Sequence, residues 1–415
     1  LTIFCSEYYC DLEHVTSESG SKMRLDGKQY DVAVIGVGTM GSMALWQLSK
    51  AGLRTIGIEQ FKIGHEKGGA GGESRIFRVA YKEGPEYVPL LIRSRELWNE
   101  LTTRSATPIF LPCGALTIGR PDHPEVGQVQ RTIELFQLDH QDLSASDMER
   151  TYPQHHLLEG EVGILDPAGG LLAPKDAVLA AVGEAQGHGA EVLDGTKVLD
   201  IKPGAAGVDV VMPDQTVRAE RVVVAAGVWS RALLPELSGK FEVRRSVLHW
   251  FGTKDPSAFV PERFPVGIRR SGPNADFSFF PTPSGSEIKC NLHVTKTAVP
   301  DPERFDGTID AEYSNFVRDH MARLIRGLNP NQMRARGYMD GYSPDNHGFF
   351  GDLPGNKNIT VLYGFSGHGF KISPAIGEAV AEHVKFQHTT LDLSHMALAR
   401  HLEGQTANLQ ERNNK

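Results

Sequence analysis

Two textures of apolar and polar positions alternate along the chain. In the first, short and nearly unbroken apolar runs are bounded by glycine, which predicts strands buried on both faces. Residues 29–35 (Gln-Tyr-Asp-Val-Ala-Val-Ile), 54–58, 221–226 and 359–363 have this form. Stretches 42–50, 87–101, 175–187 and 375–384 repeat apolar residues at three- and four-residue intervals, which predicts helices that cover such strands. The second texture is an alternation of period two over 243–251, 277–281 and 288–294, the pattern of an antiparallel sheet with two different faces. Short strands at 109–111 and 115–118 and helices near 128–136, 145–152 and 311–328 accompany it.

This order predicts a mixed α/β (α+β) fold, a Rossmann-like domain interleaved with one built on a largely antiparallel sheet. The expected blocks are 23–105, 160–238 and 341–395 for the first domain, rejoined near Gly163–Pro167, and 106–159 and 239–340 for the second. Residues 1–22 read as a leader or flexible extension ahead of Met23, and 396–415 as a polar tail.

Glycine-rich loops follow two of the buried runs. After residue 35 comes Gly36-Val37-Gly38-Thr39-Met40-Gly41, then a helix, then a strand ending at Glu59. This is the dinucleotide fingerprint: Gly36 permits the turn, Gly38 lets backbone approach a pyrophosphate, Gly41 lets helix and strand pack, and Glu59 can bind ribose hydroxyls. The spacing alone does not separate FAD from NAD. The other loop, Gly364-Phe365-Ser366-Gly367-His368-Gly369-Phe370-Lys371, leads to a helix with Ser373 as expected N-cap and Pro374 as first residue. Such a loop presents N–H groups, a positive dipole end and Lys371 to negative charge.

Composition narrows the classes. A formal net charge of −8 without a basic run argues against nucleic acid, and no apolar stretch is long enough for a membrane span. Cys5, Cys10, Cys113 and Cys290 are too few and scattered for a disulfide framework or zinc site, so no metal is expected, and a reducing cytoplasm fits best. His155 and His156 have no ligand companions in the sequence and read as surface residues.

Residues Gly36–Gly41, the segment Gly72-Glu73-Ser74-Arg75-Ile76-Phe77-Arg78-Val79-Ala80-Tyr81, the pair Lys289 and His293, and Gly364–Lys371 resemble the sarcosine oxidase and N-methyltryptophan oxidase family. The resemblance spans roughly residues 29–390 in matching order. It implies FAD as cofactor, with Gly36, Gly38, Gly41, Glu59, Arg75, Gly227, Gly367, His368, Gly369 and Lys371 on the cofactor side. It also implies a substrate carboxylate held by Arg78 and Lys371, Arg75 over the flavin face, Lys289 activating oxygen and His293 nearby in the site. Read locally, Arg75 and Arg78 stand three apart in a helix-compatible run. Glu83 matches a family acid, although an exposed turn serves equally well as its reading.

The departures carry information too. Where relatives attach FAD to a cysteine, this chain has Tyr338, which implies a noncovalent cofactor. Asp340 and Ser278 stand where relatives carry tyrosines, and Gly71 where they have a histidine. These changes imply a roomier pocket for a substituent bulkier than that of sarcosine, cationic or hydroxyl-rich, with Asp340 as a substrate contact or, alternatively, a turn cap beside Gly341. The expected function is an FAD-dependent oxidase of a secondary amine, with oxygen reduced to peroxide, acting as a monomer or small homo-oligomer. The alternative is a dehydrogenase or an oxidase of a cyclic or primary amino acid of proline or pipecolate type, using another acceptor.

Overall fold

The computed structural model describes residues 28–237, 239–272, 275–293 and 297–401. The leader at 1–22, the tail beyond 401 and Val294 lie outside the described residues. Two eight-stranded sheets dominate. In the first, Gln29–Ile35 pairs in parallel with Thr55–Ile58 on one side and Thr216–Val224 on the other. Thr216–Val224 in turn pairs in parallel with Asn356–Tyr363. Strands Asp200–Gly204 and Gly207–Val211 extend this sheet in antiparallel fashion.

The unbroken apolar run of the first strand has a simple cause: it is covered on both faces. Val32 and Val34 point into one core with Met43, Leu45, Trp46, Ala181 and Ile376, while Tyr30, Ala33 and Ile35 point into another with Val208, Val222 and Ile359. Helices Thr39–Lys50, Pro174–Gly187 and Ser373–Phe386 cover the former face.

The second sheet runs Leu328–Tyr342, Glu242–Thr253, Glu287–Leu292, Phe277–Pro281, Val266–Arg270, Ala115–Gly119, Val162–Asp166, Gln141–Leu143. Its pairings are antiparallel apart from Val266–Arg270 with Ala115–Gly119. Phe251, Phe264, Phe277 and Phe279 pack beneath it against Val317, Met321 and Leu324 of helix Ala311–Leu324. A small third sheet joins Arg75–Phe77, Gly170–Leu172 and Phe110–Leu111.

Several local expectations are corrected. Val162–Asp166 is hydrogen-bonded between Ala115–Gly119 and Gln141–Leu143, so the block expected to rejoin the first domain from residue 160 begins with a strand of the second sheet. A five-residue apolar run does not say which sheet will take it. Arg75–Phe77 is a strand, because Leu172, Leu171 and Gly170 supply its ladder partners and override the helical spacing.

Ser373 is already helical; the N-cap is Ile372, and the Ser373 hydroxyl donates to the Phe370 carbonyl at 2.8 Å. Helix Ala311–Leu324 stops short of 328, where a strand begins. His155 is buried, stacked on Phe264 with centroids 4.9 Å apart, because the turn from Tyr152 directs it inward; His156 is exposed, as expected. Residues 396–401, expected in a tail, include the turn Leu398–His401: Met396 and Leu398 are buried, and Arg400 makes two hydrogen bonds to the Asp345 carboxylate at 2.7 and 3.1 Å.

Candidate active site

A cavity of about 620 Å³ lies between the two main sheets. Gly36, Gly38, Glu59, Arg75, Arg78, Gly227, Lys289, His293, Tyr338, Asp340, Gly367, His368, Gly369 and Lys371 all line it. Of the expected site residues only Gly41 stands off, and its job is different. A Cβ there would run into the Gly36 carbonyl oxygen, so the glycine is what lets helix Thr39–Lys50 start directly against the first strand.

The end nearest the first strand is made mostly of backbone. Gly36 turns the chain at φ +84°, and a Cβ on it would press on Ala225 O at 2.7 Å. A Cβ on Gly38 would meet no protein atom within 4 Å, which leaves a ligand free to approach the main chain. The helix that begins at Thr39 has no side-chain cap, and the buried Thr39 hydroxyl has no hydrogen-bond partner among the described residues. An uncapped helix N-terminus with an unspent hydroxyl suits a diphosphate.

Glu59 is buried; its Oε2 accepts from Val37 N at 2.9 Å and its Oε1 from Phe61 N at 3.0 Å. Burial pushes its carboxyl up, but His65 and these two amides outweigh that and hold it below the ordinary range. An ionised acid at the end of the second strand is what ribose hydroxyls require. These features fit a dinucleotide with its diphosphate at the helix.

The opposite end is made of side chains. Arg78 is buried, and its Nε and Nη1 have no hydrogen-bond partner among the described residues. Its Nη2 lies 3.5 Å from Glu83 Oε2. Lys371 Nζ donates to His368 O at 3.1 Å and to the Tyr81 hydroxyl at 3.3 Å. Burial pulls the Lys371 ammonium down to about 7, against the pull of Glu83. Glu83 is held well below the carboxylate range: burial opposes this, but Lys82, Arg78, His368 and Lys371 outweigh it. Glu83 is therefore part of the cavity wall, and the exposed-turn reading falls. His368 Nε2 donates to Asn346 O at 2.7 Å, which leaves Nδ1 bare; burial lowers its pKa to about 4.

Arg75 pulls the loop before it into place, donating to the carbonyls of Gly69 (2.8 Å), Ser74 (2.7 Å) and Gly71. Lys289 Nζ donates to Gly72 O at 2.9 Å and Ser74 O at 2.5 Å and sits 3.9 Å from the Phe280 ring centre. Burial, then Arg75, drives its pKa well below that of a free lysine. Lys289, Asn291 and His293 alternate onto the cavity side, with His293 just past the end of its strand.

Tyr338 donates to Glu66 Oε2 at 3.3 Å, and its ring fills the space beside Gly71: a Cβ at 71 would lie 2.7 Å from Tyr338 Cε1. Gly71 and the Tyr338 ring are thus sterically complementary. Asp340 accepts from Gly341 N at 2.8 Å, as a cap would, and also lines the cavity, where its charge opposes the downward pull of burial on Arg75.

Sequence reasoning missed Lys82, Glu125, Arg270 and His65 as lining residues. Arg270 carried a readable signal: in Val266–Arg270, alternation sends Ile268 and Arg270 to the cavity and Arg269 to a buried pair with Glu161. The others come from loops and a helix end with no periodicity to mark them. Cys113 and Cys290 are free thiols, and among the described residues no group of three or more His, Cys, Asp or Glu is placed to hold a metal. No described helix is long and apolar enough to cross a membrane.

Comparison with known proteins agrees with this geometry. A family described as FAD dependent oxidoreductase matches residues 31–383. The chain is 34% identical to monomeric sarcosine oxidase of Streptomyces avermitilis over 356 residues, covering 85% of this chain and 93% of the relative. It is 29% identical to N-methyl-L-tryptophan oxidase of Salmonella dublin over 380 residues, 90% of this chain and 99% of the relative. Among solved structures it resembles NikD, an unusual amino acid oxidase essential for nikkomycin biosynthesis, with TM-score 0.79 at 23% identity, covering 89% of this chain and 97% of that one. On the extent of the family match and the closeness of the sarcosine oxidase relative, the chain belongs to the FAD dependent oxidoreductase family.

Proposed function

We propose that the protein oxidises a secondary amine bearing a carboxylate, an N-substituted amino acid, to an imine. The observation that carries this reading is Arg78: a buried guanidinium with two unpartnered nitrogens, beside Lys371, on the wall of the cavity. A buried cation left partly unsatisfied is costly unless an anion completes it. Names of relatives support the same class, since one oxidises sarcosine and another N-methyl-L-tryptophan.

FAD, when bound, supplies the acceptor for the hydride equivalent that leaves a carbon attached to the amine nitrogen. Gly36, Gly38, Glu59, Gly227, Gly367 and Gly369 would hold it, without a covalent bond because Tyr338 offers no thiol. Arg78 and Lys371 fix the substrate carboxylate. Arg75, with Asp340 close enough to act on its charge, keeps the loop of residues 69–74 against the cavity. As the hydride departs, the nitrogen lone pair forms the C=N bond; water then adds, giving an amine and a carbonyl compound. Oxygen takes up the two electrons given up by the amine, with two protons, to become hydrogen peroxide, and Lys289 in its protonated form supplies positive potential for that half-reaction. A cytoplasmic enzyme, monomeric or a small homo-oligomer, is the setting we infer.

The test is anaerobic mixing with N-methyl amino acids. Loss of the long-wavelength flavin absorbance is expected, with peroxide formed one-for-one on readmitting air. Lys289→Met is expected to slow reoxidation while sparing flavin reduction. A flavin-loaded protein that no N-substituted amino acid bleaches would overturn the proposal.

A further inference from the structure

The two walls of the substrate end treat charge differently. On the inner wall Arg78 keeps unpartnered donors. On the outer wall the charges are paired with one another. Lys82 Nζ lies 3.3 Å from Glu83 and 3.2 Å from Glu125. Glu125 also accepts from Arg270 Nε, and Arg270 Nη1 meets His293 Nδ1 at 2.7 Å.

That last contact fixes a tautomer. A guanidinium can only donate, so His293 Nδ1 accepts, and the ring proton sits on Nε2. Nε2 then donates to Ser278 Oγ at 3.0 Å. Ser278 spends a lone pair there and retains its own O–H for another acceptor. Ser278 and His293 both face the cavity.

A cationic substituent would meet Arg270 and Lys82, and an anionic one Glu83 and Glu125; either unbalances a set already neutralised. An apolar substituent would cover these polar groups without replacing their hydrogen bonds to water, which costs about 1–3 kcal/mol for each group left unsatisfied. A neutral group rich in hydroxyls fits both conditions, because each hydroxyl can accept from Ser278, Arg270 or Lys82 and donate to a carboxylate.

We infer that the outer wall, through Ser278, Arg270 and Glu125, binds a neutral polyhydroxylated substituent on the substrate nitrogen, so that the substrate class is an amino acid carrying a sugar-derived N-alkyl group. This rests on the amine-oxidation reading above. Arg270 and Glu125 face that substituent directly, and Arg270 also sets the His293 tautomer; Ser278 is the specificity contact.

The experiment is anaerobic flavin reduction of the holoenzyme by sarcosine, N-methyltryptophan and N-(1-deoxyfructosyl)glycine, yielding a Kd and a limiting rate for each. The sugar-derived amine is expected to bind about tenfold or more tighter than either N-methyl compound. Ser278→Tyr is expected to erase that preference, and the milder Ser278→Ala to reduce it in the same direction. Equal or tighter binding of an N-methyl compound, or a preference unchanged by both Ser278 variants, overturns the outer-wall assignment and leaves amine oxidation standing. Reduction by none of the three overturns the outer-wall assignment, and amine oxidation falls with it when no other N-substituted amino acid bleaches the flavin.

Discussion

The two ends of the cavity are built from different materials. The end at Gly36–Gly41 and Glu59 is a backbone device, in which glycines define where the main chain bends and how closely a helix meets a strand. The end at Arg78, Glu83, Lys289, His293 and Lys371 is a side-chain device, gathered from three separate segments around one cavity. The backbone end tolerates no added atom at Gly36 or Gly41, yet demands little electrostatic balance. The side-chain end has room, and its function lies in which charges are paired and which are not.

The largest effect expected is at the backbone end. Gly41→Val would force the first strand and its helix apart, and the purified variant is expected to carry no bound flavin, read from its absorption spectrum. At the side-chain end, Arg78→Met should lower kcat/KM by about a hundredfold or more, since truncating one partner of a buried charge contact costs roughly 2–5 kcal/mol. An unchanged kcat/KM would remove the inner clamp from the account.

A pH series sharpens the comparison. Lys371 titrates near 7, and only its charged form attracts an anion. Binding of propionate, which cannot be oxidised at an amine, should be strongest below that pH. It should weaken by up to about tenfold per unit above it. A flat profile across roughly pH 6–8 would mean that Lys371 does not face the anion.

Crowding Gly71 tests the pairing with Tyr338. Gly71→Ala is expected to destabilise the fold by about 1–3 kcal/mol through overpacking, and Tyr338→Ala to relieve part of that loss in the double variant, read by thermal melts.

The smallest effect lies away from the cavity. His155 is buried with both ring nitrogens unpartnered among the described residues, and burial depresses its pKa to about 3. Between that value and the unfolded value of 6.5 the unfolded chain binds the extra proton, so this histidine costs stability as pH falls through the window. His155→Phe should flatten that part of the acid denaturation curve while changing neutral stability little.

The same contrast explains what could be read from the sequence. Glycines with a backbone reason are legible one at a time, so Gly36, Gly38, Gly41 and Glu59 could be assigned roles from spacing alone. Apolar runs and alternation likewise gave the two sheets. Charged residues on loops are not legible in this way. Lys82 and Glu125 are 43 positions apart in the sequence and 3.2 Å apart in space, and nothing local to either foretells the pair. Arg75–Phe77 looked helical because its ladder partner, Gly170–Leu172, lies about a hundred residues away. The burial of His155 was hidden for the same reason: Phe264, in a turn, and Phe279, in a strand, both come from more than a hundred residues away.

The most direct test of the central claim uses a matched pair, an N-substituted amino acid and its methyl ester, in anaerobic flavin reduction by wild type and Arg78→Met. The account predicts that wild type reduces its flavin far more efficiently with the free acid than with the ester, and that Arg78→Met loses most of that difference. Equal reduction by acid and ester in wild type would contradict it, because the buried guanidinium would then have no carboxylate to hold.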